Sequence, residues 1–286
     1  MNIVTCDPVG QSGIELLKKL GHVISTDVSQ ADVLIVRSRT KVTKDLIDSA
    51  PNLKIIARAG SGTDTIDVAY AQSKGIRVIN APGANAQSVA EHTIALMLSL
   101  SRDIVNTSGA MKQGKWTKST YRGFELCGKT LGIVGFGHVG KHVAEIATAI
   151  GMNVTVFSRS RQDAPLRELL EKSDVVSLHV SLSKETEGML GKSEFALMKP
   201  TAVLINTSRG SVIDEMELID ALQQNTIAGA ALDVYNNEPL DPNSPLCRLP
   251  NVILTPHVAS ISPESEENAS MMIASEIDRI LKGESI

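Results

Sequence analysis

The stretch TLGIVGFGHVGKHVAEIATAIGMNVTVF, residues 130–157, decides the fold of this chain. It places Gly135, Gly137 and Gly140 between an apolar, strand-like run and a helix-like stretch, and it ends in a second strand-like run. In such a unit the first glycine permits a tight turn, the second lets backbone N–H groups approach a pyrophosphate, and the third lets the helix pack closely on the strand. The stretch therefore predicts a parallel βαβ unit that binds a dinucleotide.

The rest of the chain repeats this alternation of apolar runs and amphipathic helices. The strand candidates are NIVT, HVIS, VLIVR, KIIAR and IRVIN in a first series, and TLGIVGFG, NVTVFS, DVVSLHV, AVLINTS, AGAALDV and NVILTPH in a second. Strands that alternate with helices predict an α/β fold with parallel sheets. We therefore expect two doubly wound parallel-sheet domains, of which the second is a complete six-stranded Rossmann cofactor domain.

A long helix and a polar stretch separate the two strand series. The helix is predicted from about Ala86 to about Arg102, and the weakly patterned stretch NTSGAMKQGKWTKSTYRGFELCG follows it. The last segment, SPESEENASMMIASEIDRILKG, has a Ser-Pro helix entry and helical apolar spacing, and it is expected to pack on the first domain. The prediction is a discontinuous substrate-binding domain of residues 1–99 and 268–286, and a dinucleotide-binding Rossmann domain of residues 100–267.

Composition and charge narrow the classes of partner. The net charge is -4 and no basic block is present, which argues against nucleic acid as the partner. The three cysteines are far apart, so neither a disulfide framework nor a zinc spacing is indicated, and no metal is expected. The most apolar helix candidate, VAEHTIALMLSL, is too short to cross a bilayer, and the N-terminus does not resemble a signal peptide. We expect a cytoplasmic protein with a small-molecule substrate.

The run FSRSRQ, residues 157–162, follows the second strand of the dinucleotide unit. An acid at this point would bind both ribose hydroxyls and repel a 2'-phosphate, which selects NAD. This chain has Ser158 and Arg159 there, with Arg161 two positions later, and a guanidinium pairs well with a phosphate dianion. The run favours NADP(H) over NAD(H). The alternative is that both arginines are solvated loop charges and that Ser158 contacts the ribose of either cofactor.

Three charged or titratable residues follow predicted strands of the second series: Arg209, Glu238 and His257. Ligands of open α/β sheets bind at that edge. His257 has the chemistry to move a proton on or off a carbinol oxygen, and a carboxylate such as Glu238 would fix its tautomer. Arg209 would hold a substrate carboxylate. Together they predict a site for a 2-hydroxy or 2-oxo acid, although each residue alone is equally typical of a structural or surface position.

The other histidines carry less weight. His179 ends the strand candidate in SLHV and is expected to line the cofactor site at most. His22, His92, His138 and His142 have no carboxylate context that suggests catalysis.

Long motifs in the right order resemble the D-isomer-specific 2-hydroxyacid dehydrogenases. They are RAGSGTDTIDVAYAQSKGIRVINAPG, GKTLGIVGFGHVGK, NTSRGSVIDEMELIDAL, AGAALDVYNNEPL and NVILTPHVAS, and the similarity covers nearly the whole chain. The resemblance implies flavodoxin-like and Rossmann-like lobes with the site in the cleft. It also implies a homodimer through the cofactor domain, for which the segment 103–127 with Trp116 is the interface candidate.

Within the family, IVRSRTKVTKDLI and MKQGKW resemble the D-3-phosphoglycerate dehydrogenases of serine biosynthesis most. The resemblance implies that Arg37 and Arg39 contact the substrate phosphate, although a pair of strand-end surface charges is the alternative. It further implies that the amides of Ser61 and Gly62 bind the substrate carboxylate alongside Arg209.

The resemblance also implies a set of cofactor-binding residues, which extends the glycine loop to Asp233 and to the loop HVSLSKET. The full set is Gly135, Phe136, Gly137, His138, Val139, Gly140, Ser158, Arg159, Ser160, His179, Val180, Thr186, Thr207, Ser208, Asp233 and Ala259.

Three departures from the phosphoglycerate dehydrogenases bear on function. Ser158 stands where those enzymes usually carry aspartate, and SRS resembles the NADP-using hydroxypyruvate and glyoxylate reductases. The stretch between FSRSRQDAP and LRELLEKSD is shorter than usual, which is expected to change the adenine pocket. The sequence ends at Ile286, so the regulatory domain of longer relatives, and with it serine feedback, is not expected.

Three functions follow from these patterns. The first is oxidation of D-3-phosphoglycerate, or the reverse reduction, with NAD(P). The second is NADPH-dependent reduction of hydroxypyruvate or glyoxylate. The third is an NAD(H)-sensing binding protein, because corepressors that resemble the family keep similar residues.

Overall fold

A computed structural model describes residues 1–283 of the chain. The chain forms two compact units: the first combines Met1–Ser88 with the stretch that begins at Ser260, and the second is Val89–Ala259. Residues 284–286, which the predicted substrate-binding domain includes, lie outside the described residues.

Both boundaries between the units lie earlier in the chain than predicted: they follow Ser88 and Ala259, whereas the sequence prediction placed them after residues 99 and 267. The long helix that starts at Ala86 begins in the first unit, but its buried side chains from the second turn onward pack in the core of the second. The helix that starts at Pro263 packs its buried side chains within the first unit, so the second change precedes it.

The strands coincide with the sequence candidates. In residues 1–283 they are β1 (Asn2–Thr5), β2 (Val23–Ser25), β3 (Val33–Val36), β4 (Ile55–Arg58), β5 (Arg77–Asn80), β6 (Thr130–Val134), β7 (Asn153–Phe157), β8 (Val175–Leu178), β9 (Val203–Asn206), β10 (Gly229–Leu232) and β11 (Val252–Leu254). Four of them, β3, β8, β9 and β10, are apolar runs that are buried along their whole length, as parallel strands covered on both faces require.

Helices connect the strands. In the described residues they are α1 (Gln11–Lys19), α2 (Lys44–Asp48), α3 (Val68–Ser73), α4 (Ala86–Ser101), α5 (Ile104–Lys112), α6 (His138–Ala149), α7 (Leu166–Lys172), α8 (Lys192–Phe195), α9 (Glu215–Gln223) and α10 (Pro263–Leu281). Two of them confirm the sequence prediction closely: α4, and α10 with its Ser262 cap and proline start. The sequence did not predict α5, which lies in the polar stretch and buries none of its residues.

The first unit is built on a parallel sheet with strand order β2-β1-β3-β4-β5. This is the order of flavodoxin-like doubly wound sheets. Strand β2 lies on one side of β1 within the sheet, and β3 lies on the other side. The topological switch point is therefore between β1 and β3. The amphipathic helix α1 and the last helix α10 pack against each other on this sheet.

The second unit is built on a parallel sheet with strand order β11-β10-β9-β8-β6-β7. The six predicted strands are all present, but β7 is the edge strand, whereas a Rossmann sheet of two full halves carries one more strand beyond it. Only residues 158–165 separate β7 from α7, which is too short for a helical crossover and a further strand. The switch point lies between β6 and β8.

The loop after β7 closes the edge that the missing strand leaves open. Phe157 forms an antiparallel bridge with Gln162, and the amide of Asp163 donates to the Val156 carbonyl at 2.8 Å. The Asp163 carboxylate accepts the Val156 amide at 3.1 Å. Backbone groups that would otherwise form an unpaired strand edge are therefore satisfied within the chain.

None of the helices in residues 1–283 is both long and apolar enough to cross a membrane.

Candidate active site

Steric contacts explain two of the three glycines in the loop after β6. Gly135 has φ +99°, in the left-handed region, and a Cβ there would lie 2.4 Å from the carbonyl oxygen of His179. A Cβ on Gly140 would lie 2.2 Å from the carbonyl oxygen of Gly135. Both positions therefore require glycine for packing of α6 and β8 against the loop.

Gly137 is different, because a Cβ there would meet nothing within 4 Å. Gly137 is the N-cap of α6 and offers no side-chain cap to the first amides of the helix. Uncapped N–H groups at a helix N-terminus attract anions, and open space at the glycine lets a large group approach the backbone. The loop therefore fits the pyrophosphate of a dinucleotide, with His138 and Val139 in the first turn of α6.

The residues after β7 form a compact, hydrogen-bonded turn. The Ser158 hydroxyl accepts the Arg161 amide at 2.9 Å and donates to the Arg161 carbonyl at 2.8 Å. The Ser160 hydroxyl lies 3.2 Å from that of Ser158. The Arg159 guanidinium is exposed and pairs with Glu185 of the loop after β8.

Arg161 is held more tightly than Arg159. Its guanidinium donates twice to the Asp163 carboxylate, at 2.9 Å each, and lies 5.0 Å from the ring centroid of Phe136. The hydrogen bonds from Arg161 lower the pKa of Asp163. Glu185 and Asp163 are counter-charges that the sequence analysis missed, since nothing in their own segments marks them as partners of this turn.

His179 and the loop that follows it lie against the glycine loop. The Nε2 of His179 lies 2.9 Å from the Ser177 hydroxyl, and burial lowers the pKa of His179 to about 4, so the ring is neutral at physiological pH. A Cβ on Gly135 would also lie 2.9 Å from the Val180 side chain. Thr186 closes the next turn by donating to the Ser181 carbonyl at 2.7 Å.

The three candidate catalytic residues follow neighbouring strands at one edge of the sheet. The last residues of β9, β10 and β11 stand in register, and Arg209, Glu238 and His257 come within a few residues of these strand ends. Because parallel strands end at the same edge, this register places the three loops next to one another.

Glu238 and His257 form a close pair. Glu238 Oε2 lies 2.6 Å from His257 Nδ1, and the other carboxylate oxygen accepts the Tyr235 amide at 3.1 Å. The Tyr235 hydroxyl donates to the Thr255 carbonyl at 2.9 Å, which ties the loops after β10 and β11 together. Both side chains of the pair are partly exposed, by 36% and 45%, and His257 Nε2 has no hydrogen bond within the described part of the chain. The pair can therefore exchange a proton with a bound molecule.

The loop that carries Arg209 touches the loop that carries Glu238. A Cβ on Gly210 would lie 2.0 Å from the carbonyl carbon of Tyr235, so only glycine allows this approach. The Arg209 carbonyl accepts the Asn206 side-chain amide at 2.9 Å, and its guanidinium donates to the Ser208 carbonyl at 2.7 Å. Backbone contacts thus hold the Arg209 loop beside the Glu238 loop.

The remaining polar residues after β9 are buried and paired. The Thr207 hydroxyl lies 2.8 Å from that of Thr93 on α4, and the Ser208 amide and hydroxyl both donate to the Asn206 side chain. These contacts fix the backbone that leads to Arg209.

Asp233 holds the backbone around His257. Its fully buried carboxylate accepts the amides of Val258 and Ala259 at 2.9 Å each and the Thr255 hydroxyl at 2.6 Å. His257 itself has φ +53°, a left-handed conformation that is unfavourable for a residue with a side chain. The hydrogen bonds that the next two backbone amides donate to Asp233 stabilise that conformation.

His92 of α4 reaches the same carboxylate. Its Nε2 lies 3.6 Å from Asp233 Oδ1 and 3.2 Å from the Thr255 hydroxyl. This carboxylate neighbour of His92 lies more than a hundred residues away in sequence. His142 also has one, since its Nδ1 lies 3.4 Å from Glu145 three residues further along α6.

The predicted substrate-binding loop of the first unit follows β4. The Ser61 hydroxyl donates to the Asn85 side chain at 2.8 Å, and the Ser61 carbonyl accepts the Asn80 side-chain amide at 2.6 Å. Arg58, the last residue of β4, donates to the Gly62 carbonyl at 3.1 Å. The sequence prediction did not include Arg58, although it ends the run KIIAR as Arg37 ends VLIVR.

Arg37 and Arg39 have different surroundings. Arg37 Nη1 donates to Glu266 Oε1 of α10 at 2.6 Å, and its side chain is 21% exposed. Arg39 is exposed and makes no hydrogen bond or ion pair with the residues that the structure describes.

No group of three His, Cys, Asp or Glu side chains that could hold a metal ion occurs in residues 1–283, and the three cysteines are free.

Comparison with known proteins agrees with this geometry. Residues 94–259 match the family model described as D-isomer specific 2-hydroxyacid dehydrogenase, NAD binding domain. The chain is 39% identical to a D-3-phosphoglycerate dehydrogenase of Archaeoglobus fulgidus, an alignment that covers 99% of this chain and 58% of that protein. The chain therefore spans somewhat over half the length of that relative.

Two further similar proteins extend over most of their own length. The chain is 41% identical to a glyoxylate reductase of Thermococcus litoralis, with 92% of this chain and 84% of that protein covered. A solved structure of the acyclic imino acid reductase Bsp5 in complex with NADPH and D-Arg superposes with a TM-score of 0.89 and 32% identity, over 100% of this chain and 99% of that one.

Proposed function

This chain belongs to the D-isomer-specific 2-hydroxyacid dehydrogenases, and we propose that it interconverts a 2-oxo acid and its D-2-hydroxy acid with a nicotinamide cofactor. The observation that carries the proposal is the 2.6 Å pair of Glu238 and His257, at the same sheet edge as a glycine loop that fits a pyrophosphate. The cofactor supplies or accepts a hydride when bound, and the residues of this chain supply the acid–base chemistry.

Each residue of the catalytic set has a separate task. His257 exchanges the proton of the substrate oxygen through Nε2, because Glu238 already binds Nδ1 and fixes the ring's tautomer. Asp233 positions His257 by holding the two amides after it. Arg209 binds the substrate carboxylate. Ser61 and Gly62 stay the predicted substrate-binding residues of the first unit.

Replacing His257 tests the enzyme hypothesis against the binding-protein hypothesis. His257→Ala should lower kcat on 2-oxo acids by about 10²- to 10⁴-fold, because it removes the proton donor, and should leave cofactor affinity unchanged. His142→Ala is the matched control, since His142 is half-exposed on α6 and its one ion-pair partner among residues 1–283 is Glu145. If the unmodified protein turns over no 2-oxo acid but binds NAD(H), the sensing function is correct instead.

We propose that the cofactor is NADP(H) rather than NAD(H). Ser158 leaves room for a 2'-phosphate, and Arg159 and Arg161 carry positive charge in the same turn, although Glu185 and Asp163 pair with them. NADPH should exceed NADH in kcat/KM by about tenfold or more. Arg159→Ala should reduce that ratio, while Ser158→Asp should invert it. Arg167→Ala, in an exposed pair on α7, is the control, and a large NADH advantage in the unmodified protein would refute the assignment.

The substrate has two candidates. D-3-phosphoglycerate, with a place in serine biosynthesis, is favoured by the resemblance around Arg37 and Arg39 and by the similarity to the A. fulgidus enzyme. Hydroxypyruvate or glyoxylate is favoured by Ser158 and by the similarity to the T. litoralis enzyme. Rates with phosphohydroxypyruvate, hydroxypyruvate and glyoxylate, each with NADH and NADPH, separate the two.

We also propose a homodimer formed through the cofactor domain, in the segment 103–127. Helix α5 buries none of its residues, Ile104 and Val105 are exposed by 49% and 53%, and Trp116 is exposed by 76%. Exposed apolar groups concentrated in one segment are typical of an interface. Sedimentation should give twice the chain mass, and Val105→Glu should give the monomer; a monomeric unmodified protein would refute this interface.

A further inference from the structure

The carboxyl edge of the first sheet carries two groups that attract anions. It has its topological switch point between β1 and β3, where ligands of such sheets bind. Arg37 directly follows β3, and the N-terminus of α1 follows β1 after the N-cap Gly10, which has no side chain to cap the helix. Guanidinium groups and helix N-termini both bind phosphate readily.

Two consecutive glutamates of α10, Glu266 and Glu267, already bind Arg37 and the N-terminus of α1. Glu266 accepts the 2.6 Å bond from Arg37, which also donates to the Pro8 carbonyl at 3.4 Å. Glu267 accepts the amides of Gln11 and Ser12, at the start of α1, at 2.9 and 3.0 Å. The chain thus provides its own anions at the place where a substrate phosphate would be bound.

The backbone of α10 lies close to the start of α1. A Cβ on Gly10 would lie 2.8 Å from the Glu266 carbonyl oxygen, and a Cβ on Gly13 would lie 2.5 Å from the Ser270 carbonyl oxygen. The start of α1 and helix α10 therefore approach each other through backbone atoms, which places Glu266 and Glu267 of α10 beside Arg37 and the first amides of α1.

Two carboxylates lie beside Arg37. Asp7 is buried and accepts the Arg37 amide and the Thr40 hydroxyl, so a second carboxylate lies beside the Arg37 backbone while Glu266 binds its guanidinium. Side-chain exposures of 21% for Arg37 and 33% for Glu266 mean that water screens the pair only in part. A phosphate dianion at Arg37 would either displace Glu266 or lie next to it, and both are unfavourable.

We propose that Glu266 is a specificity-determining residue that neutralises Arg37 and thereby selects 2-oxo acids without a phosphate group, of the hydroxypyruvate and glyoxylate kind. The inference rests on the proposed function, in which one of the two candidate substrates needs Arg37 for its phosphate, and it favours the other candidate.

The test is the ratio of kcat/KM for phosphohydroxypyruvate to that for hydroxypyruvate. The unmodified protein should prefer hydroxypyruvate, and Glu266→Gln should raise the ratio by about tenfold or more, because it removes one negative charge and keeps the side-chain shape. Glu264→Gln is the matched control: Glu264 lies exposed in the same helical turn and has no partner in the described residues. A preference of the unmodified protein for phosphohydroxypyruvate, or an unchanged ratio in Glu266→Gln, would overturn the inference.

A second readout separates this inference from the proposed function. If the unmodified protein reduces none of phosphohydroxypyruvate, hydroxypyruvate and glyoxylate, the proposed function fails, but the effect of the Glu266 charge is still measured with inorganic phosphate as the probe. Phosphate should raise the Tm of Glu266→Gln more than that of the unmodified protein and of Glu264→Gln. Equal shifts in all three proteins would contradict the role of Glu266.

Discussion

The two sheets start alike and differ at the N-terminus of their first helix. Both α1 and α6 follow the first strand of their sheet, and both begin after a glycine N-cap without a side-chain cap, Gly10 and Gly137. A Cβ on Gly10 would collide with α10, whereas a Cβ on Gly137 would meet nothing within 4 Å. A glycine N-cap by itself therefore does not show what lies next to the helix. The surroundings decide whether that group is a ligand or another part of the chain.

The largest expected effect comes from making the second sheet resemble the first. Gly137→Asp places a carboxylate at the open N-terminus of α6, as Glu267 does at α1. Because φ of Gly137 is -79°, a side chain is tolerated and the fold should be retained. Repulsion of the pyrophosphate should raise KM for NADPH by about a hundredfold. Steady-state kinetics measures this, and an unchanged KM would mean that the cofactor does not bind at this helix.

Gly140→Ala provides the contrast for that experiment. Its Cβ would lie 2.2 Å from the Gly135 carbonyl oxygen, so this variant should have a lower Tm than the unmodified protein. Gly137→Asp should have an unchanged Tm. Equal Tm values in the two variants would contradict the distinction between steric and ligand-related glycines.

The next largest effect is expected from a substitution that disrupts the contact between α1 and α10 in the first unit. Gly13→Ala forces a Cβ to within 2.5 Å of the Ser270 carbonyl oxygen and should lower the free energy of unfolding by about 3 kcal/mol. Gly109→Ala on α5 is the control: nothing lies within 4 Å of its Cβ, and it should stabilise the protein by about 0.5 to 1 kcal/mol. Urea denaturation measures both. A tolerated Gly13→Ala would show that α1 and α10 are not locked together.

Acid should affect the edge of the second sheet through His179. Burial lowers the pKa of His179 to about 4 from 6.5, so between these values the unfolded chain binds the extra proton. The contribution to stability is complete above pH 6.5 and is lost as pH falls, by about 2 kcal/mol at pH 5. His179→Gln should remove this part of the acid sensitivity between pH 7 and pH 5. Identical pH profiles for the two proteins would refute it.

The smallest effect concerns the edge of the first sheet at lower pH. Hydrogen bonds from the Ser12 side chain and backbone lower the pKa of Glu267 below the usual 4.5. Its contribution to stability is therefore present above that value and is lost as pH falls through the lowered pKa. Glu267→Gln should be less stable than the unmodified protein at pH 7, with a smaller difference in acid. Glu264→Gln should show no such pH dependence in urea titrations.

Local patterns predicted the strands, the glycine loop and the strand-end position of the three catalytic candidates. These features depend on residues that are near in sequence or on the rule that parallel strands end at one edge. The family match and the two parallel sheets confirm the predicted family and fold class, while the roles of the site residues stay a prediction. The register of β9, β10 and β11 then brings Glu238 and His257 together, as the spacing suggested.

The charge partners were not predictable in the same way. Arg37 and Glu266 are 229 positions apart, and Glu185 pairs with Arg159 from a different loop. An isolated arginine looks the same in sequence whether it is free to bind phosphate or already paired. The position of the unit boundary inside α4 was also missed, because the apolar spacing of a helix does not tell which core it enters.

The turn that seals the edge of β7 limits how its cofactor preference can be redesigned. Asp163 bonds the Val156 backbone and also both sides of the Arg161 guanidinium fork. A graft that exchanges only residues 158–162 for those of an NAD-dependent relative would remove Arg161 and leave the Asp163 carboxylate without its partner. Segments transplanted into this protein should therefore run through residue 163, so that Arg161 and Asp163 are exchanged together.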